Sequence, residues 1–300
     1  MVDVATQSLD DHAAIARALR EKKRRSEKRA GLIKHAFLIA CTFIMIYPLL
    51  WMLSSSLKPS DEIFGSLSLW PSEVMWETYP EGWEGLPVSF TRFFGNSLFV
   101  TVLSVIGNVI SCSFAAYAFA RLEFKGRNIA FALMMMTLMI PYHVVLIPQY
   151  LIFLKAGWVD TYLPLIVPKF LATDAFFVFL MIQFFRQLPR ELDEAAMIDG
   201  CSAFKIYWAI IMPLSLPAVA TAAIFSFIWV WEDFLGPLVY LNDINDYTVP
   251  LALRMFLSQD SISEYGQMFA MSILSIVPII IFFIIFQKFI IRGIAMSGLK

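Results

Sequence analysis

Two adjacent carboxylates, Glu232 and Asp233, stand in the apolar run Trp229-Val230-Trp231-Glu232-Asp233-Phe234. Acids in such a run are costly to place in a bilayer, and where they persist they mark solute or proton paths. Counted from Ser215, seventeen helical rises of about 1.5 Å carry Glu232 about 26 Å through a hydrocarbon core of about 30 Å. At that depth the pair either lines a path with Trp231 or sits at the outer interface among anchoring tryptophans. A second polar set, Thr101, Ser104, Asn108, Ser111, Cys112 and Ala115, recurs at steps of three or four and so shares one helix face. Such a stripe serves close helix packing or borders a path, with Asn108 its most polar member. His143 lies between Pro141 and Pro148, where two prolines seven residues apart free carbonyls and let the chain bend or unwind, as gating helices do. It acts there as a pH-sensitive group or as a donor to a freed carbonyl.

Enzymatic chemistry finds no foothold. His12, His35, His143 and the scattered acids assemble no nucleophile and base, metal-ligand set or carboxylate pair. Cys41, Cys112 and Cys201 have neither metal-ligand spacing nor a disulfide pattern. No Gly-x-x-x-x-Gly-Lys-Ser/Thr phosphate cradle occurs, so the chain is not expected to hydrolyse ATP or to bind a cofactor.

The segment from Leu188 to Ser202, LPRELDEAAMIDGCS, carries a different kind of information. Pro189 followed by acids opens a helix, because proline lacks only a hydrogen bond that position would not make and the acids meet the positive end of the dipole. Gly200 ends it after about three turns, and Ser202 can cap a second short helix running towards Pro213. Leu192, Ala195, Ala196 and Asp199 share one mostly small face. A face of that kind, ending at glycine, is either a docking surface or an ordinary surface helix.

These features must be held by membrane-spanning helices. Of 300 residues 59% are hydrophobic and 16% charged, and the mean hydropathy is +0.70. That excludes a disordered chain, a collagen and a secreted disulfide scaffold. Apolar runs long enough to span fall at about 32–56, 93–118, 129–152, 172–186, 215–240 and 267–290, which predicts an all-α polytopic protein of six transmembrane helices. The first run lacks a small-residue cleavage pattern and is expected to be a retained helix. Lysine and arginine number 9, 3, 3 and 3 in segments 1–34, 119–128, 186–214 and 287–300, against 2, 2 and 1 in 57–92, 153–174 and 241–266. The bias places both termini in the cytoplasm. The expected organisation is a basic cytoplasmic segment 1–31, a six-span domain 32–290 with a cytoplasmic loop 187–214, and a cytoplasmic tail 291–300. The tract Arg20–Arg29 serves either as an arm on membrane lipid or as a solvated topology anchor, and no nucleic acid partner is expected.

Glu194-Ala195-Ala196, three residues, Gly200, nine residues, then Ile210-Ile211-Met212-Pro213 resembles the signature loop of ATP-binding-cassette import permeases, with Met212 in place of the usual leucine. Tyr47-Pro48, Leu57-Lys58, Asn96-Ser97, Ala116 to Arg121, the Pro141/Pro148 pair, Trp231 to Phe234 and Gly293 to Lys300 extend the likeness to maltose-type carbohydrate permeases. The resemblance implies the type I permease fold in the bacterial inner membrane. It implies a coupling helix whose Glu194, Ala195, Ala196, Asp199 and Gly200 meet a separate ATPase dimer, which uses ATP and magnesium. It also implies a second homologous permease, an extracytoplasmic sugar-binding protein contacting segment 241–266, and a sugar substrate. Glu232 departs from the family's usual asparagine, which favours a hydroxyl-rich or cationic ligand unless the acid pairs with a neighbour. The rival functions are import of another solute class such as polyamines or phosphonates, a membrane-embedded enzyme, and a channel or carrier working alone. The last would need charges deep in the spans.

Overall fold

The computed structural model describes residues 31–66, 68–257 and 265–297, so the basic tract 20–29, part of segment 241–266 and Gly298-Leu299-Lys300 lie outside the described residues. The described residues are helical, with no strand among them. Helix α1 spans Gly31–Ser55 and α2 Phe90–Arg121, with Ser89 capping α2 by accepting from the Thr91 N–H. A left-handed turn at Gly126 (φ 84°) leads into α3, Arg127–Thr137, which meets α4, Tyr142–Lys155, at 102°. Pro141 makes this break, since the residue before a proline is pushed out of the helical region and proline itself starts the next helix well.

The next span, α5, covers Leu163–Gln187 and begins earlier than the expected 172. Its first turn, Leu163–Ile166, tightens into a 3-10 stretch, Val167–Leu171, then passes through Ala172 in a left-handed conformation (φ 53°) before resuming at Ala175. Pro164, Pro168 and the charged Lys169 in that stretch make it read as loop in the sequence, although it continues the span. Two short helices follow, α6 (Glu191–Ile198) and α7 (Ala203–Leu214), the latter with a π turn over Tyr207–Ile211. The fifth expected run, 215–240, is also interrupted. Helix α8 (Leu216–Trp231) lies at 78° to α7 and stops at the acids, and a short helix resumes over Leu235–Tyr240. The last helix, α9, runs Tyr265–Ser297, with side chains described to residue 290.

Four of these helices, α1, α2, α5 and α9, are long and apolar enough to cross a membrane, and the total reaches six if each bent pair is one span. The six-helix expectation therefore depends on how the two broken pairs cross.

Helix α2 is the central post, packed by α5 and α8, with α9 on the far side of α8. Small residues allow the approach: Ala218, Ala220, Ala222 and Ala223 of α8 are all buried. One apolar cluster joins Tyr117 and Ala120 of α2 to Phe185, Ala196 and Tyr207. The other, at the opposite end, joins Phe90 and Phe93 to Trp231, Phe256 and Met271. By contrast, the apolar stretch of α1 is not buried and its large side chains face outward; within α1 only Ser54 and Ser55, at its end, are buried.

Candidate functional site

At one end of α2 the loop forms a tight elbow. Helix α6 carries Glu191, Asp193 and Glu194 in its first turn, where they complement the dipole. It closes by a Schellman arrangement. The Gly200 N–H donates to Met197 O at 3.0 Å and the Cys201 N–H to Ala196 O at 2.9 Å, with Gly200 at φ 76°. Ser202 then caps α7 by accepting from the Lys205 N–H.

A buried ion pair fastens the elbow to the post. Arg121 Nη1 meets Asp193 Oδ2 at 3.0 Å with side chains only 3% and 13% exposed. Its Nη2 donates to Phe185 O at 2.6 Å and Leu188 O at 2.8 Å, so one guanidinium ties the ends of α2 and α5 to α6. Tyr117 Oη donates to Ala203 O at 3.1 Å, and Ser113 and Tyr207 share a hydroxyl hydrogen bond of 2.7 Å.

Of the five expected coupling residues, Glu194, Ala195, Asp199 and Gly200 are exposed, whereas Ala196 is turned into the core. The single small face inferred from spacing is therefore split: Ala196 packs inward and the outer surface gains Met197 and Ile198, the latter 86% exposed. An ideal Cβ on Gly200 meets nothing within 4 Å, leaving the surface there open to a partner. Asp193 was not singled out by sequence reasoning. Its partner lies 72 positions away, and only the tertiary fold brings them together.

Towards the other end of the molecule a cavity of about 660 Å³ opens between α2, α4, α5 and α8, bordered by Tyr142, Gln149, Lys169, Asp174, Trp229 and Asp233. Two interruptions frame it, the break between α3 and α4, with Ile140 beside Pro141 on one wall, and the irregular stretch of α5, with Pro168 on another. The polar stripe of α2 secures the second interruption. Ser104 Oγ donates to Leu165 O (3.3 Å) and Ser111 Oγ to Lys169 O (2.7 Å), satisfying carbonyls that the irregular backbone leaves free. Lys169 Nζ and Asp174 Oδ2 pair at 2.9 Å, each about a quarter exposed.

The four residues expected to border the path have different fates. Asp233 lines the cavity and accepts from the Gly236 N–H at 3.1 Å, while Glu232 is exposed outside it. Asn108 is buried against α8, donating to Ser226 Oγ at 3.1 Å. Trp231 is buried too, and its Nε1 donates to Ser275 O of α9 at 3.0 Å. Both are packing contacts. Of the bend residues, Pro141 starts α4, Pro148 lies inside it and His143 is exposed. Lys169 and Asp174, placed by the sequence in an outer segment, are the members it missed, and a basic residue five positions before a carboxylate at a helix start was the available signal.

Beyond the cavity, the turn Ile244–Asp246 is fastened to the start of α2. Asn96 Nδ2 donates to the carbonyls of Asn245 (2.7 Å) and Tyr247 (2.9 Å), and Arg92 Nε to that of Asn245 (3.1 Å). The N–H groups of Asn245, backbone and side chain, hold the Asp243 carboxyl below its usual range. Burial and the facing Asp246 carboxylate push the Tyr162 phenol up, keeping it a donor to Asp246 at 3.2 Å. Asn96→Leu leaves the Tyr247 carbonyl without its side-chain donor and that of Asn245 with Arg92 alone, and it is expected to lower the thermal midpoint of the purified protein by a few degrees, read from a melting curve in detergent. An unchanged midpoint would show that water replaces the amide.

Among the described residues no group of His, Cys, Asp and Glu could hold a metal ion. The fold resembles a chain from the crystal structure of a bacterial ATP-binding-cassette transporter involved in the import of the acidic polysaccharide alginate, with TM-score 0.75 and 22% identity over 88% of this chain and 97% of that one. The chain is 34% identical to the arabinooligosaccharides transport system permease protein of Halalkalibacterium halodurans over 86% of its own length and 92% of the relative's. It is 33% identical to the trehalose/maltose transport system permease protein of Thermococcus litoralis, over 91% and 97%. Residues 107–296 match the family described as binding-protein-dependent transport system inner membrane component, and on these matches the chain belongs to that family of transport permeases.

Proposed function

We propose that this permease forms one half of the pore of an ATP-driven sugar importer, coupled through its α6–α7 elbow to a separate ATPase dimer. The observation that carries the reading is the elbow itself: an exposed Glu194, Ala195, Asp199 and Gly200 surface, rigidly tied by Arg121 and Asp193 to the central helix. Motion imposed on that surface reaches α2 and α5, and both helices border the cavity. A second permease would complete the pore, an extracytoplasmic binding protein would deliver solute, and ATP with magnesium would be used by the ATPase. Sugar as the solute class is supported by the names of the relatives and by a mainly apolar cavity that carries aromatic faces and a few polar groups. The lysine and arginine bias supports cytoplasmic termini and a cytoplasmic elbow.

Cysteine labelling tests the placement. With Cys201 replaced by Ser, Asp199→Cys is expected to react with an impermeant maleimide in inside-out vesicles, to stay unlabelled in right-side-out ones, and to be protected when the ATPase is bound. Labelling from the outside would reverse the topology, and labelling indifferent to the ATPase would remove the elbow from the contact.

A further inference from the structure

The cavity carries a charge pattern that the importer reading does not account for. Its charged lining residues are Lys169, Asp174 and Asp233. Lys169 is ion-paired with Asp174 at 2.9 Å and is also felt by Asp233, so one cation in the wall serves two carboxylates and one acid is in surplus. Two hydroxyls in the same lining, Tyr240 Oη and Thr248 Oγ1, belong to residues 2% and 4% exposed and have no hydrogen-bond partner among the described residues. Buried hydroxyls are nearly always satisfied, so an orphaned pair in a cavity wall points to a ligand or water completing them. Trp229 and Tyr142, 49% and 45% exposed, add flat apolar faces.

We infer that this cavity is a solute-binding chamber for uncharged or cationic hydroxyl-rich molecules, with Asp233, Tyr240 and Thr248 as the hydroxyl-binding groups and the surplus carboxylate rejecting acidic sugars. The chemistry matches part by part. A carboxylate accepts from solute hydroxyls, the two protein hydroxyls donate or accept in turn, and aromatic faces cover the apolar side of a pyranose ring. An anionic solute meets unfavourable charge at the point where hydration is being removed, and there like charges repel far more strongly than in water. The chamber belongs to the pore of the proposed importer and deepens that reading by naming its solute class.

The test separates the chamber from the sugar. In the assembled importer, with native cysteines replaced, Gln149→Cys is exposed to a cationic and an anionic methanethiosulfonate. The rate ratio, relative to that for free cysteine, is expected to favour the cation by roughly tenfold, as one nearby unit charge in a medium less polar than water would give. Asp233→Asn should bring the ratio back to that of free cysteine. So should Asp174→Asn, which leaves Lys169 to neutralise Asp233, and it covers the case in which the first variant fails to assemble. A ratio unchanged by both variants, or no reaction in any nucleotide state, overturns the chamber.

Uptake is then measured with maltotriose and with a galacturonate trisaccharide as probes. Maltotriose transport that Tyr240→Phe and Thr248→Val weaken several-fold in KM supports the hydroxyl assignment, and transport of the galacturonate at an equal rate overturns the charge selection. If neither probe is carried while the labelling ratio stands, the sugar reading fails and the charge of the chamber survives.

Discussion

Gly200→Trp is expected to reduce uptake by the assembled importer at least about a hundredfold while the permease still inserts and folds. The nucleotide engine biases the pore only if its contact with the elbow differs in energy between the inward- and outward-facing states. Moving a two-state equilibrium from about 1:99 to 99:1 takes roughly 5.5 kcal/mol, so a lost contact of a few kcal/mol leaves the pore unresponsive. Gly200 sits at the exposed end of α6, where an added Cβ meets nothing in this chain, and so the indole would project away from the fold, onto the surface proposed to meet the ATPase. Its φ of 76° adds strain for any L side chain, which must be separated from bulk. Gly200→Asn provides the control, because asparagine tolerates the left-handed conformation and is small. Asn at 200 should retain most of the uptake, with Trp inactive and ATP hydrolysis no longer linked to transport. Normal uptake by the Trp variant, with the ATPase copurifying as usual, would remove Gly200 from the docking surface.

The features legible in the sequence were those written in local chemistry. Apolar length located α1, α2 and α9 within a few residues, and the Pro189, acid and Gly200 pattern located α6 together with its stop. Proline spacing announced the bend at Pro141, although not its size of 102°. What failed was any inference needing knowledge of which way a side chain turns at an interruption. In a continuous helix Glu232 and Asp233 would point about 100° apart, with nothing local to say which faces the interior, but α8 ends at Trp231, and the turn that follows sends Asp233 to the cavity and leaves Glu232 outside. Lys169 and Asp174 were lost for a related reason. Charge and proline kept 163–171 out of the expected span, whereas the stripe on α2 supplies the hydroxyls that let an irregular segment continue a span. That stripe was legible from its spacing, but its division was not: Ser104 and Ser111 bond carbonyls of α5 while Thr101 lines the cavity. Asp193 was invisible because nothing near it in sequence distinguishes it from Glu191 or Glu194, and the deciding contact comes from Arg121.

Removing that contact on one side should be among the most damaging single changes in the chain. Asp193→Leu leaves the Arg121 guanidinium buried with its carbonyl partners but without its counter-charge, a situation that typically costs about 3–5 kcal/mol. The elbow is expected to detach locally. Proteolysis within 189–202 should rise and uptake should fall to background, with α2 and α5 still packed through the rest of their length. The double variant Arg121→Met/Asp193→Leu replaces a buried pair by apolar volume, and such replacements are often neutral for folding. It is expected to restore protease resistance and ATPase copurification. If the pair acts only as a fastener, uptake returns with them. If instead the rigid guanidinium bridge from α6 to the ends of both α2 and α5 transmits the stroke, the double variant folds, binds the ATPase and hydrolyses ATP with uptake still at least tenfold low. The geometry favours the second outcome, because methionine can fill the space but cannot hold the Phe185 and Leu188 carbonyls at the end of α5. Full recovery of uptake in the double variant would reduce Arg121 to a packing role and leave the apolar contacts of Ala196 as the link between elbow and pore.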